Sequence, residues 1–131
     1  MINIDTVKEV FKKNYSIDLE GPFGSYYRTN GTKFKDLDFI APRLPNNRRF
    51  MQFDYNYDSK KINIDVWSYK DNYEKLFLEF TLKTSKQYNI VYRKLAQLKG
   101  FKLSQYGLFK KNGEKVNVTN DKQILKLIGK E

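Results

Sequence analysis

A strict alternation of apolar and polar residues marks the middle of the chain. In the segment KKINIDVWSY, the apolar side chains Ile62, Ile64 and Val66 alternate with polar ones, which predicts a β-strand with one buried face. Residues 36–42 and 48–58 are also rich in aromatic and β-branched residues, and turn-forming residues separate them. The middle of the chain therefore predicts three strands.

Helical spacing lies on both sides of this strand-rich part. It predicts one helix over residues 5–14 and, after the strands, two more over residues 72–82 and 85–100. The Asn-Gly pair at 112–113 predicts the turn of a β-hairpin, and a last helix begins near residue 120. Because strands and helices occur in separate runs, we expect an α+β fold.

The side-chain inventory restricts the chemistry that is open to the protein. The 131 residues include no cysteine and no histidine, which excludes disulfides, thiol nucleophiles, zinc-thiolate sites and imidazole catalysis. Any reaction must use carboxylates, hydroxyls, Lys, Arg and the backbone. Such groups favour hard, oxygen-binding ions such as Mg²⁺.

Positive charge is concentrated near the C-terminus. The net charge is +10; residues 1–86 carry 15 basic and 12 acidic side chains, and residues 87–131 carry 10 basic and 3 acidic ones. This excess indicates a polyanionic partner, with nucleic acid preferred to a membrane surface, although lysines can also serve solubility alone. We place the domain boundary after residue 83, so that residues 84–131 form the basic subdomain.

Neither a membrane segment nor a secretion signal is evident in the sequence. No window approaches the roughly 18 apolar residues of a spanning helix. The N-terminal segment MINIDTVKEVFKKN has no basic leader and no long apolar stretch. We therefore expect a soluble, cytoplasmic protein without a membrane partner.

Two aspartates stand close together in FKDLDFIAP. On a strand, Asp36 and Asp38 point to the same face, while Leu37 and Phe39 point to the other, into a core. Two carboxylates at this spacing repel each other, and each raises the pKa of the other unless a cation neutralises them. A pair of Mg²⁺ ions fits this need, because Mg²⁺ binds a carboxylate or two and completes its shell with water and phosphate oxygens.

A third carboxylate is predicted on another strand. Asp65 lies opposite the apolar face of its segment, and it would join Asp36 and Asp38 if the two strands are neighbours. Asp54 and Asp58 are the alternatives, with Asp58 in a turn. Three converging carboxylates suit two-metal phosphoryl or nucleotidyl transfer, in which one ion binds a triphosphate and the other lowers the pKa of an attacking hydroxyl.

The upstream segment GSYYR contributes groups that bind phosphate. Gly24 allows close approach of the backbone, and the Ser25 hydroxyl and the N–H groups of the helix that begins there can bind triphosphate oxygens. Arg28, one turn later, adds positive charge. Together these residues predict a nucleotide-binding element directly before the two aspartates.

The order Gly-Ser, about a dozen residues, Asp-x-Asp and a later strand aspartate resembles the motif of the nucleotidyltransferase superfamily. The C-terminal stretch NIVYRKLAQLKGFKLSQYGLFKKNGEKVNVTNDKQILKLIG resembles the end of the family X DNA polymerases, the polymerase beta relatives. It has an Asn and an Arg on a helix, Ala before Lys-Gly, the block QYGLF, a turn, and a short helix that ends in Leu-Ile-Gly. The resemblance covers about residues 20–131.

The resemblance implies a nucleotidyltransferase palm over residues 1–83, which is a small mixed sheet with flanking helices. It also implies a small basic helix-hairpin-helix-like subdomain of the polymerase beta thumb type over residues 84–131, which binds DNA and nucleotide. It implies two Mg²⁺ ions, with Mn²⁺ as a substitute, on the three aspartates, Asp65 being nearest the primer hydroxyl. It also implies roles in binding the incoming dNTP for Gly24, Ser25, Arg28 and Asn89. Nucleic-acid contacts are expected from Arg93 and, if they are not simply solvated, from Lys110, Lys111 and Lys115.

The function implied is DNA-directed DNA synthesis, in which a monomer adds dNTPs to a primer 3′-hydroxyl on primer-template or gapped DNA, as short gap filling in DNA repair. The compact plan resembles viral members of the family, which suggests a virus or phage source. Either Phe80 or Leu82 would act as the steric gate against ribonucleotides. Template-independent transfer and a catalytically silent nucleic-acid-binding module are the alternatives.

Overall fold

The chain divides into two compact units in a computed structural model that describes residues 2–130. The first unit ends at Lys70 and the second begins at Asp71. The elements of the first unit are α1 (Ile4–Tyr15), β1 (Glu20–Phe23), α2 (Gly24–Arg28), β2 (Asp36–Ala41), β3 (Phe50–Tyr57) and β4 (Lys60–Ser68). Those of the second are α3 (Asn72–Lys83), α4 (Lys86–Leu98), β5 (Phe101–Ser104), β6 (Gly107–Lys110) and α5 (Asp121–Leu127).

The boundary lies earlier than the position after residue 83 that the sequence suggested. Helix α3 belongs to the second unit because its apolar face packs into the core of that unit. Phe77 is fully buried there, and Phe80 lies 5.8 Å from the ring of Tyr92 on α4. The second unit therefore includes α3, whereas a boundary after residue 83 assigns this helix to the first unit.

A four-stranded mixed sheet forms the first unit. Its strand order is β1-β2-β4-β3; β2 and β4 are parallel, and the other two pairs are antiparallel. The predicted small mixed sheet is confirmed. The parallel pair is the feature that matters most for the site, because it places two carboxylate-bearing strands side by side.

Helix α1 covers one face of this sheet. The Asn3 side chain accepts a hydrogen bond from the backbone N–H of Thr6 at 3.1 Å, which caps the helix. Val7 and Phe11 are buried, and the Phe11 ring meets the ring of Phe53 edge-on at 4.9 Å. The sheet contributes to the same core the fully buried side chains Leu37, Phe39, Ile64 and Val66. With one face occupied by this core, the opposite face is left for polar side chains.

The second unit has its own core and a short hairpin. Strands β5 and β6 pair with Ser104 opposite Gly107, so the hairpin turns at residues 105–106 and not at the predicted Asn-Gly pair. The Asn-Gly pair forms the next reversal, where the backbone N–H of Lys110 donates to the carbonyl of Glu114 at 2.8 Å. Across residues 2–130, none of the helices is both long and apolar enough to cross a membrane.

Candidate active site

The register of β2 and β4 places two aspartates side by side. Asp38 is paired with Asp65, and Asp36 is paired with Asn63. Residues paired in this way lie on the same face of a sheet, and all three carboxylates lie on the face away from α1. The three aspartates that the sequence singled out thus lie on one face of two neighbouring strands.

Two of the three carboxylates, those of Asp38 and Asp65, have a raised pKa. Burial, followed by the charges of Asp65 and Asp36, raises the pKa of Asp38 from 3.8 to about 6, while Arg28 acts in the opposite direction. Burial also raises the pKa of Asp65, a hydrogen bond from Gln52 lowers it, and the charge of Asp36 raises it. In the metal-free protein, Asp38 and Asp65 are therefore harder to ionise than free aspartates.

The donor set fits a hard divalent cation, but the side chains are not gathered as a complete site. Within the described part of the chain, no three Asp, Glu, His or Cys side chains form a group that could hold a metal ion. Asp65 has one oxygen engaged, since its Oδ1 accepts a hydrogen bond from Gln52 Nε2 at 2.8 Å. Oxygen donors on one sheet face suit Mg²⁺ by type, and side-chain rotation would be needed to bring all three onto ions.

Gly24 lies directly against this cluster. Its φ is +70°, and a Cβ atom built on it would collide with the carboxylate of Asp38. Only glycine combines this backbone conformation with so close an approach. The short helix α2 begins at Gly24 and carries Ser25 and Arg28, so the Gly-Ser pair and the aspartates form one continuous surface.

An open pocket of about 710 Å³ lies beside the carboxylates. Its lining comprises Ser25, Arg28, Thr32, Lys33, Phe34, Lys35, Asp36 and Asp38. Lys33 and Lys35 are exposed, and neither was predicted from the sequence. Their position, within three residues before the first aspartate, is the signal that could have identified them.

The two alternative carboxylates lie away from Asp38. Asp54 on β3 is paired with Asn63, is exposed and has Lys61 at 3.7 Å. Asp58 occupies the turn between β3 and β4, with φ of 51°. Asp65 is therefore the carboxylate that the register brings to the first two.

Asn89 and Phe80 have structural contacts in the second unit. Asn89 Nδ2 donates to the carbonyl oxygens of Thr81 and Thr84, at 2.9 and 3.2 Å, and so ties the corner between α3 and α4. Phe80 is 4% exposed, whereas Leu82 is half-buried. Arg93 is exposed on α4.

The lysines around the second reversal differ in their surroundings. Lys110 Nζ lies 3.7 Å from Glu114, and Lys115 Nζ lies 4.5 Å above the ring of Tyr73. Lys111 is exposed. A further pocket of about 560 Å³ is lined by Lys102, Ser104, Phe109, Lys110, Lys111 and Gly113. Lys102 was not predicted, since it stands outside the basic cluster of the turn.

Comparisons with known proteins identify the fold. Residues 79–131 match the family model described as DNA polymerase beta thumb. Two crystal structures of Leishmania infantum polymerase beta, a ternary P/T complex and a ternary gap complex, each match 97% of this chain at 15% identity, with TM-scores of 0.74 and 0.73. This chain spans 70% and 64% of those two chains. No curated protein matches the sequence. The chain has a family X polymerase-like fold.

Proposed function

We propose that this chain, which has a family X polymerase-like fold, is a Mg²⁺-dependent DNA polymerase that adds dNTPs to a primer 3′-hydroxyl. The observation that carries the proposal is the pairing of Asp38 with Asp65 on parallel strands, with Asp36 on the same face. Arg28 acts on Asp38 and lines the open pocket of about 710 Å³ together with Asp36 and Asp38. The combination of clustered carboxylates and neighbouring cations suits a reaction between a metal-bound triphosphate and a hydroxyl.

Asp36, Asp38 and Asp65 would hold the two ions. Mg²⁺, or Mn²⁺ as a substitute, would supply charge neutralisation on the phosphates and lower the pKa of the attacking hydroxyl. Asp65 would lie nearest the primer and accept the hydrogen bond of its 3′-hydroxyl. The proton of the hydroxyl would pass to Asp65, and the 3′-oxygen would form a bond to the α-phosphorus. The bond between the α-phosphorus and the bridging oxygen would break, and pyrophosphate would leave.

The pocket beside the carboxylates would hold the triphosphate. The Ser25 hydroxyl and the Arg28 guanidinium donate hydrogen bonds to phosphate oxygens, and Lys33 and Lys35 add positive charge around the leaving pyrophosphate. Gly24 keeps the backbone close to Asp38, so the phosphates and the carboxylates share one surface. A nucleotide contact is also proposed for Asn89, whose amide would exchange one of its two carbonyl partners in the α3–α4 corner for the nucleotide.

The partner proposed is primer-template or gapped DNA. The second unit carries 13 basic and 6 acidic residues, and Arg93 and Lys111 are exposed on it. Such a surface binds phosphates without reading sequence. We propose short gap filling in DNA repair by a monomer inside the cell as the biological setting.

Extension of a labelled primer on a one-nucleotide-gapped template tests the proposal. Each dNTP is offered alone with Mg²⁺, and we expect addition of only the nucleotide that matches the template base. The Asp36→Ala, Asp38→Ala double variant should lose at least 10³-fold in activity and keep its DNA binding, because the ions act on the transition state. Asp54→Ala is the matched control and should stay active.

Two outcomes would redirect the assignment. Addition that ignores the template base would favour template-independent transfer. No addition by a protein that binds DNA would favour a catalytically silent binding module. Full activity of the double variant would show that the carboxylates were assigned wrongly.

A further inference from the structure

We propose that Gln52 is a positioning residue that holds the carboxylate of Asp65 for ion and hydroxyl binding, an inference that rests on the proposed function. Gln52 lies on β3 and is paired with Asp65 in the antiparallel ladder with β4. Its Nε2 donates a hydrogen bond to Asp65 Oδ1 at 2.8 Å. Gln52 is exposed, so its contact with Asp65 does not result from burial in a core.

Asp65 has neighbours of opposite character on its two sides. On β2 its partner is Asp38, whose negative charge repels it, and on β3 its partner is Gln52, which attracts it. Between these neighbours the Asp65 carboxylate has one preferred orientation, with Oδ1 directed towards Gln52. A carboxylate has about four lone-pair sites, so one N–H donor leaves the second oxygen available to other ligands.

An amide suits this position better than a cation would. A Lys or Arg at position 52 would neutralise Asp65 and compete with a metal ion for its oxygens. The neutral amide orients the carboxylate and leaves its charge intact. Groups that hold metal ligands in this way typically change metal affinity or activity by about 10–100-fold when they are removed.

The contact is specific to Gln52 among its neighbours on the strand. Two residues along the same face, Asp54 is paired with Asn63, and beyond it Asn56 is paired with Lys61. Asn56 is exposed and polar like Gln52. It therefore provides a matched control for any change in surface charge or strand stability.

The first test measures primer extension in the presence of Mg²⁺. It compares Gln52→Glu, which keeps the shape of the side chain, with Gln52→Ala. A donor role predicts that Gln52→Glu lowers kcat at least as much as Gln52→Ala, by about tenfold or more, with KM for the dNTP within about threefold of wild type. Asn56→Asp adds the same charge to the same face and should leave kcat unchanged. Wild-type kcat in Gln52→Glu, with a loss in Gln52→Ala, would indicate packing alone and overturn the proposal.

A second readout does not depend on turnover. In metal-free protein labelled with ¹⁵N, the side-chain amide resonance of Gln52 should move towards that of a free glutamine in Asp65→Ala and stay in place in Asp54→Ala. Mn²⁺ affinity measured by calorimetry should fall about tenfold in Gln52→Ala and remain unchanged in Asn56→Ala. The proposal would be overturned, even if the protein is an active polymerase, by a Gln52 amide resonance that does not move in Asp65→Ala. Unchanged Mn²⁺ affinity in Gln52→Ala would overturn it as well.

These readouts separate the two proposals. A wild-type protein that transfers no nucleotide refutes the proposed polymerase function. In that case the amide and Mn²⁺ measurements still decide whether Gln52 holds Asp65 as a ligand.

Discussion

Asp38 is closely surrounded in a way that disfavours its ionised form. It lies among Asp36, Asp65 and the backbone of Gly24, and its surroundings favour the neutral carboxyl. Metal binding requires the ionised form instead. At this residue, the stability of the metal-free protein and its proposed chemistry have opposite requirements.

The pH dependence of stability should reveal this conflict. The pKa of Asp38 is raised in the folded state to about 6, from 3.8, so its contribution to stability is fully present below about pH 4 and is lost as the pH rises through about 6. In Asp38→Asn, this loss should disappear. Because solvent partly screens the half-buried group, we expect a gain of roughly 1 kcal/mol at pH 7.5.

Thermal unfolding of metal-free protein between pH 4 and 8 measures the effect. The variant should have the higher Tm above pH 6, by about 4 °C, and should approach wild type near pH 4. Some slope should remain in the variant, because burial raises the pKa of Asp65 in the same direction. Parallel Tm curves for the two proteins would contradict the assignment to Asp38.

Gly24→Ala should destabilise the first unit. The added Cβ combines a φ of +70° with a collision against the Asp38 carboxylate, which we expect to cost about 1–3 kcal/mol. Gly113→Ala is the control, since its φ is +89° and nothing lies within 4 Å of the new atom. Urea unfolding should show a larger loss for Gly24→Ala; equal losses would mean that backbone strain acts alone.

At the scale of elements, the alternation of residues along a strand predicts which side chains share a face. The cross-strand partner of each residue depends in addition on the register between the two strands. The alternation around Ile64 and the two-residue spacing of Asp36 and Asp38 were sufficient to assign the faces. The contact of Gln52 with Asp65 depends on the register of the β3–β4 hairpin, which the two-residue turn at residues 58–59 sets. The sequence predicts a break in this region without fixing the length of the turn, so it does not identify the partner of Asp65. The site could therefore be predicted as a set of carboxylates, without the amide that holds one of them.

The hairpin of the second unit illustrates the same limit. Asn-Gly is a strong turn signal, yet the turn that joins β5 and β6 is formed by residues 105–106. There the Ser104 hydroxyl accepts a hydrogen bond from the N–H of Tyr106 at 3.2 Å, and Gly107, with φ of 159°, begins β6. Tertiary packing, with Leu108 fully buried, selects this register over the stronger local signal.

The α3–α4 corner provides a prediction at this scale. Asn89→Ala removes two hydrogen bonds to backbone carbonyls, at Thr81 and Thr84, and should lower the free energy of unfolding by about 1–2 kcal/mol. Urea unfolding measures this loss. KM for the dNTP, measured on the same variant, tests the nucleotide contact separately: an increased KM with unchanged stability would contradict the structural role.

The whole molecule consists of two units with separate cores and different charge. The first unit carries 12 basic and 9 acidic residues and contains the carboxylate cluster, whereas the second carries 13 basic and 6 acidic ones. The excess of positive charge near the C-terminus could be predicted from the sequence, because it requires only a count of basic and acidic residues. The boundary at Lys70 could not, since no Pro-, Gly- or Ser-rich linker marks it and only packing assigns α3 to the second unit.

DNA affinity should depend strongly on salt, and the lysines should contribute unequally. Lys111→Ala should reduce the slope of log K against log salt concentration by about 1, because an exposed ammonium can neutralise one phosphate. Lys115→Ala should change the slope less and lower stability instead, since Lys115 lies over Tyr73. Fluorescence anisotropy from 50 to 200 mM salt measures the slopes, and identical slopes would contradict this division of roles.

The parallel pairing of β2 with β4 also bears on the order of folding. Strands β3 and β4 are adjacent along the chain and can pair through a two-residue turn, whereas β2 meets β4 only after residues 42–59 have formed a closed loop. Closing that loop loses chain entropy and brings Asp38 alongside Asp65, two like charges. We therefore expect this ladder to form late. In a partly folded chain whose β2 and β4 are still unpaired, Asp38 and Asp65 would lie apart, and the proposed reaction could not take place.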